Sequence, residues 1–182
     1  MDKLVLITKK EDIFETYQNT PISDLIEYQN LNRPFEPHEN AKILVGMCMD
    51  NRKHLTIPEN FAYIIRAGGA NLRYSEFKVS YAISVGGIEH IALIGHNNCG
   101  MVNLNARKDQ FIDGLVAKAG WNRDAAEQHF NHFEPMFEIG NEIDFICSEA
   151  KRLRSRYPKI MIAPLMYEVE SNRLSLVFEN DG

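Results

Sequence analysis

Apolar residues recur along this chain with two different spacings. Residues 10–32 carry a helical spacing, with Ile13, Tyr17, Ile22, Leu25, Ile26 and Tyr28 on one side and a break at Pro21. Asn32-Arg33-Pro34-Phe35-Glu36-Pro37 follows, a connector whose prolines regular helix does not accommodate. Short, uninterrupted apolar runs come next. Residues 41–47 and 61–66 predict strands, the second ended by Gly68-Gly69; 74–85 predicts a helix stopped at Gly86-Gly87, and 88–95 a third strand. A helix is expected to begin just after Cys99-Gly100. Between 101 and 140 the pattern is less regular, with one helix predicted around Phe111, Leu115 and Val116 and another over 124–133. Residues 141–156 predict a helix ending near Pro158, 160–163 a fourth strand, and 166–169 with 174–178 a hairpin at one edge of the sheet.

Strands and helices alternate, and the strands are continuous apolar runs, not polar-apolar alternations. That combination predicts an α/β fold with a mostly parallel central sheet covered by helices on both faces. One domain over 1–182 is expected: a helical arm over 1–35, an α/β core over 40–182 and the C-terminal edge hairpin. The apolar face of the arm suits it to packing on a second subunit. In such sheets functional groups gather beyond the carboxyl ends of the strands. Cys48, Gly68 and His96 all fall at such ends.

Those ends carry the chemistry. Cys48-Met49-Asp50-Asn51-Arg52 follows the first strand, and His96-Asn97-Asn98-Cys99 follows the third. Any one of these thiols or this imidazole alone would be a core residue. Cys48, His96 and Cys99 together form a soft ligand set suited to Zn²⁺, and three protein ligands leave one tetrahedral position open, as in a catalytic zinc site. Asp50 can accept a hydrogen bond beside the metal, with Arg52 keeping it ionised and directed. If Asp50 were instead a permanent fourth ligand, the zinc would be structural.

These residues resemble the β-class carbonic anhydrases, which carry Cys-x-Asp-x-Arg after one strand and His-x-x-Cys after another. Residues 64–71, Ile-Ile-Arg-Ala-Gly-Gly-Ala-Asn, are similar to that family's Arg-Asn-Ala-Gly-Asn strand end, and Ser80-Tyr81-Ala82 to the helix after it. The resemblance is good over about 40–105 and looser from about Lys159. Two departures lie beside the expected substrate pocket. Ala67 stands where asparagine is usual, with one extra residue in the strand end, and Pro58-Glu59-Asn60 replaces a glycine-aspartate pair.

The resemblance implies reversible hydration of CO₂ to bicarbonate and a proton through zinc-bound hydroxide. It also implies that Asp50 pairs with Arg52 in an active form and can swing onto the metal in an inactive one, and that subunits form homodimers or homotetramers around the arm. Backbone amides at Gly68, Gly69 and Gly100 are candidates for holding product oxygens. Gln29 and Phe35 are candidates for the pocket's glutamine and aromatic groups. His54 is a candidate proton shuttle, though surface position alone accounts for it. Hydrolysis of carbonyl sulfide or carbon disulfide on the same framework is the rival chemistry, and a non-catalytic zinc-binding regulatory protein the rival class.

Charge and composition narrow the partners. A net charge of −5 over 182 residues gives no basic footprint for nucleic acid. The run Lys151-Arg152-Leu153-Arg154-Ser155-Arg156 is expected to be the solvated last turns of a helix. His129 and His132 are expected to be packing or surface residues, and Cys147 a buried small hydrophobe on a stripe with Ile139, Ile143, Ile146 and Leu153. The apolar run at Leu4-Val5-Leu6-Ile7 is too short for a signal segment, and no run is long enough for a bilayer span. With three cysteines and no disulfide framework, the expected location is the cytoplasm.

Overall fold

The computed structural model describes residues 3–179. Met1, Asp2 and residues 180–182, which the single-domain expectation includes, lie outside the described residues. Six strands form one mixed sheet: β1 (Leu4–Leu6), β2 (Ile43–Cys48), β3 (Ala62–Ala67), β4 (His90–His96), β5 (Met161–Glu168) and β6 (Arg173–Val177). Their order is β1-β6-β5-β4-β2-β3. The pairs among β3, β2, β4 and β5 are parallel, while β6 joins β5 and β1 joins β6 antiparallel. Five α-helices pack around it: α1 (Pro21–Asn30), α2 (Glu76–Ser84), α3 (Lys108–Ala119), α4 (Arg123–Phe137) and α5 (Glu142–Arg156).

The period of two in the strands sends side chains to two separate cores. Val45, Met47, Ala92 and Ile94 join Ile22, Leu25 and Ile26 of α1. Leu44, Ile91 and Leu93 join Val79 and Ala82 of α2 and Ile146, Ala150 and Leu153 of α5. Because β2 is buried at every position, its sequence could only be a continuous apolar run.

Four local expectations are corrected. The first half of the arm is two short 3₁₀ turns, Lys10–Asp12 and Glu15–Tyr17, not helix. The Asp12 carboxylate accepts the N–H groups of Thr8 and Lys9 and fixes the first as a local turn. Helix starts afresh at Pro21, where a missing N–H costs nothing, with the Thr20 hydroxyl accepting the Ile22 N–H. The apolar face of α1 is covered by its own chain. Ile22, Leu25 and Ile26 are fully buried, each contributing roughly 1.5–3 kcal/mol, so this face does not await a second subunit.

β5 runs unbroken through Pro164, where two separate strands were expected. Pro164 lies opposite Leu93 of β4 and one residue before the β6 pairing begins, so the strand there is paired on one side alone and tolerates a missing N–H. The expected hairpin, β5 with β6, lies toward that edge of the sheet, and β1 adds outside β6. Finally, no α-helix begins at Cys99-Gly100: a turn occupies residues 99–103, a 3₁₀ turn covers Leu104–Arg107, and α3 starts at Lys108. Among the described residues no helix is long and apolar enough to cross a membrane.

Candidate metal centre

Adjacent parallel strands β2 and β4 end side by side, one and two residues past the Met47–Ile94 pair, and deliver Cys48 and His96 to the same end of the sheet. Asn98 then takes a left-handed conformation (φ 54°), one asparagine tolerates, and the turn brings Cys99 back toward them. One ligand atom from each of Cys48, His96 and Cys99 lies within 4.8 Å of the others, and all three residues are buried. The two sulfurs are 3.9 Å apart. Sulfurs held at zinc-thiolate distance on a tetrahedral ion would be separated by about 3.8 Å, so the pair is already spaced for one.

The histidine supplies the second test of fit. Its Nδ1–H donates to the Asn97 carbonyl at 2.9 Å, which leaves Nε2 as the lone-pair nitrogen. That Nε2 is buried without a hydrogen-bond partner. A buried acceptor left unpaired costs about 1–3 kcal/mol unless something ligates it. The contact between the two thiols pulls the Cys48 thiol well below the usual thiol range, while the same contact and burial push Cys99 well above it. One sulfur is thus already poised as the thiolate a metal requires.

The surrounding backbone is aimed at the ligands. Gly69 adopts φ 60° and directs its N–H to Cys48 Sγ at 3.3 Å; a Cβ there would fall 2.7 Å from Ile139 Cγ2. The Cys99 N–H donates to Glu142 Oε1 at 3.2 Å. Asn97 is clamped by the β5–β6 turn: its Oδ1 accepts the Val169 N–H at 2.9 Å and its Nδ2 donates to Glu170 at 2.6 Å.

Asp50 and Arg52 stand at the rim. Arg52 donates through Nε to Asp50 Oδ1 at 3.0 Å and through Nη2 to Oδ2 at 2.6 Å, with its backbone N–H also on Oδ1 at 2.9 Å. These bonds hold the Asp50 carboxyl far below the usual carboxylate range. The same Nη2 donates to the Asn98 carbonyl at 2.9 Å, which ties the first motif to the second. Asp50 Oδ2 lies 4.0 Å from His96 Nε2.

Beside the triad, α3 and α4 border an open apolar cavity of about 420 Å³. Phe130, Phe133 and Phe137 of α4 line it together with Phe111 of α3, and Met49, Gly68 and Met101 line it next to the triad's loops. Met101 also packs on Cys48 and Cys99.

A family model described as carbonic anhydrase matches residues 48–175, most of the chain. The chain belongs to the β-carbonic anhydrase family. Solved structures place the fold in the same group. A β-carbonic anhydrase from Trichomonas vaginalis is 19% identical, with a TM-score of 0.62 over 82% of this chain and 91% of that one. A carbonic anhydrase from Glaciozyma antarctica is 21% identical, with a TM-score of 0.60 over 92% of this chain and 100% of that one. The apo form of a carbon disulfide hydrolase is 22% identical, with a TM-score of 0.54 over 74% of this chain and 77% of that one. No curated protein sequence matches the chain.

In this β-carbonic anhydrase fold the other residues singled out by sequence are distributed unevenly. Gly68 lines the cavity, while the Gly69 N–H is engaged by Cys48. Gly100 is half-buried with open space where a Cβ would point, and no helix N-terminus stands behind it. Gln29 is bonded to the Asn172 carbonyl and the Thr56 N–H, and Phe35 packs edge-on against Tyr28. His54 is exposed. His129 packs among Phe111, Trp121 and Phe133, and His132 is exposed. Cys147 is half-buried, and Ile139 leaves its expected helical stripe to pack on Cys48 and Cys99. The basic run is paired: Arg152 with Glu149 and Glu76, Arg154 with Glu179, Arg156 with Glu76.

Three contributors were missed. Lys53 is fully buried and donates to the Asp50 carbonyl at 3.2 Å; burial lowers its pKa. Arg66 donates to the carbonyls of Cys48, Asp50 and Lys53 at 3.2–3.4 Å and so braces the whole Asp50 loop. Glu142 was indistinguishable from any acidic residue in a helix's first turn. A lysine in a motif segment and an arginine at a strand end look like ordinary surface residues until the loop folds over them.

Proposed function

We propose that this chain catalyses the zinc-dependent reversible hydration of CO₂ to bicarbonate and a proton. The observation that carries this is the buried Cys48–His96–Cys99 set with an orphaned His96 Nε2, beside a carboxylate held in place by Arg52. Zn²⁺ bound there would supply Lewis acidity, which lowers the pKa of water and makes it a nucleophile. Cys48, His96 and Cys99 would hold the ion. The Gly69 and Cys99 amides are already engaged, one bonded to a sulfur and the other to Glu142, and so keep the ligands oriented. Asp50, ionised by Arg52, accepts the hydrogen bond that directs an attacking O–H toward the carbon. Met49, Met101 and the phenylalanines exclude water from the approach, which suits an uncharged apolar gas. Gly68 has its backbone at the junction of cavity and triad and is the remaining candidate for contacting product oxygens. Zinc content measured alongside stopped-flow CO₂ hydration across pH tests the proposal. A fully zinc-loaded protein without hydration activity would overturn it and leave a non-catalytic zinc-binding role.

Carbonyl sulfide or carbon disulfide hydrolysis is the second possibility, favoured by the two methionines and four phenylalanines of the cavity. Parallel product assays on the three gases decide between them.

A second copy of the chain is the proposed partner, as a homodimer or a homotetramer. β3 is an outer strand of the sheet, and its Tyr63 and Ile64 are exposed, as are Phe77 and Tyr81 of α2 and Val85 just after it. An open strand edge next to an apolar strip is the kind of surface that proteins cover. Three free cysteines are compatible with a reducing compartment, which supports a cytoplasmic location.

A further inference from the structure

The cavity between α3 and α4 is too large for the proposed substrate. A triatomic gas needs little more than the roughly 30 Å³ that one water occupies in the liquid. The cavity holds about 420 Å³, within the range of about 300–1,000 Å³ typical of pockets for molecules with a ring and a side arm. A cavity of that size lined by Phe111, Phe130, Phe133 and Phe137 offers ring faces and edges, not hydrogen bonds. Its ionisable members are His129, which is packed among aromatic rings, and Glu134, whose carboxylate disfavours an anionic guest. An anionic ligand would therefore lose its hydration without a counter-charge.

The cavity also leads to the triad. Met49 follows Cys48 directly, and Met101 packs on both cysteines. Gly68 leaves room at the junction: a Cβ there would meet Met101 Sδ at 2.9 Å and Phe137 Cδ1 at 3.6 Å. A molecule with its apolar group among the phenylalanines would thus present its other end to the residues that handle CO₂.

Resting on the CO₂ proposal, we propose that this site also takes larger uncharged heterocumulenes, organic isothiocyanates and isocyanates, whose ring-sized group occupies the α3–α4 cavity. Their central carbon is electrophilic and lies between two heteroatoms, as in CO₂. For R–N=C=S, water's oxygen bonds to that carbon and its proton goes to nitrogen, giving R–NH–C(=S)–OH. The C–N bond then breaks as the remaining hydroxyl proton moves to nitrogen, releasing R–NH₂ and O=C=S. The sum is R–NCS + H₂O → R–NH₂ + COS, with no change in oxidation state.

The chain's sole tryptophan, Trp121, has its ring centroid 5.1 Å from that of His129 on the cavity wall and serves as a reporter. Toluene is the unreactive probe, titrated into metal-free protein while Trp121 emission is followed. Benzyl isothiocyanate is the substrate, with benzylamine release measured in zinc-loaded protein against free zinc in buffer and CO₂ hydration measured on the same sample. Expected are a saturable toluene response and benzylamine release above the buffer rate. Phe133→Asp places a charge in the cavity and Leu104→Phe fills it. Each should lower the ratio of benzylamine release to CO₂ hydration by at least about tenfold, and Leu104→Phe serves if the aspartate variant does not fold. CO₂ hydration without benzylamine release, or a ratio unchanged in Leu104→Phe, overturns the inference and leaves the proposed function standing. Absence of both activities in zinc-loaded protein overturns both.

Discussion

Arg52 holds both carboxylate oxygens of Asp50, at 3.0 and 2.6 Å, and with the same guanidinium reaches the Asn98 carbonyl one residue before Cys99. The dyad is thus a link between the two ligand-bearing loops as well as an ion pair. Half of Arg52 is open to solvent, so the pair contributes little to stability as a surface ion pair. Its importance lies in direction and charge. Asp50→Asn is expected to keep its zinc and lose about 100-fold or more in CO₂ hydration, since an amide is a poor substitute for an anionic acceptor. Arg52→Ala should fall similarly, because the carboxylate loses its anchor 4.0 Å from His96 Nε2. Turnover and bound zinc are measured together. Wild-type turnover in Asp50→Asn would remove the dyad from the mechanism.

Metal content is the more basic test. One zinc per chain is expected in protein purified without added metal. His96→Ala should lose it under mild chelation, as should either cysteine replaced by alanine, with a lower melting temperature because ion binding is coupled to folding. Stripping the ion from the wild type should reproduce that loss, and restoring zinc should reverse it. Elemental analysis finding no transition metal would contradict the assignment.

The ligands were legible in the sequence because Cys48 and His96 each sit at the end of an apolar run long enough to be a buried parallel strand, and Cys99 lies one short turn beyond the second. The period and the topology together fix where such ends meet. What surrounds them was not legible. Lys53, Arg66 and Glu142 act by bonding to backbone atoms of other segments, and no side-chain pattern encodes which carbonyl an arginine will reach. The break at Pro164 misled for a related reason: proline is read as a strand terminator, yet one unpaired side of β5 was enough to admit it. The cavity was also hidden. Phe130, Phe133 and Phe137 have helical spacing, but whether such a stripe faces a core or an open chamber depends on how α3 and α4 pack.

Oligomerisation should depend on β3 and α2, not on the N-terminal helix. Ile64→Lys combined with Phe77→Glu is expected to shift the protein toward a 20.9 kDa monomer, read by sedimentation at micromolar concentration. Ile64 is 46% and Phe77 82% exposed in the single chain, so neither change opens a core. A wild type that is already monomeric, or a double variant that stays assembled, would rule out this surface.

Acid should loosen the cavity walls through Glu138. Burial alone would raise this carboxyl, but N–H donation from Leu104 at 2.6 Å, Gly140 at 2.7 Å and Asn103 at 3.1 Å outweighs it, so its pKa lies below the ordinary 4.5. A carboxylate depressed in the folded state contributes stability that is fully present above its unfolded pKa and lost as pH falls through the folded value. The contribution should therefore be complete at neutral pH and decline only below about pH 4.5, as the 3₁₀ turn leading into α3 loses its acceptor. Trp121 emission and amide exchange in α3 and α4, followed from pH 6 to pH 3 in wild type and Glu138→Gln, provide the measurement. Glu138→Gln should weaken these helices by roughly 1–2 kcal/mol at neutral pH and flatten their acid response. A Glu138→Gln variant whose exchange matches the wild type at pH 6, or whose acid transition is unchanged, would show that the carboxylate does not hold the module together.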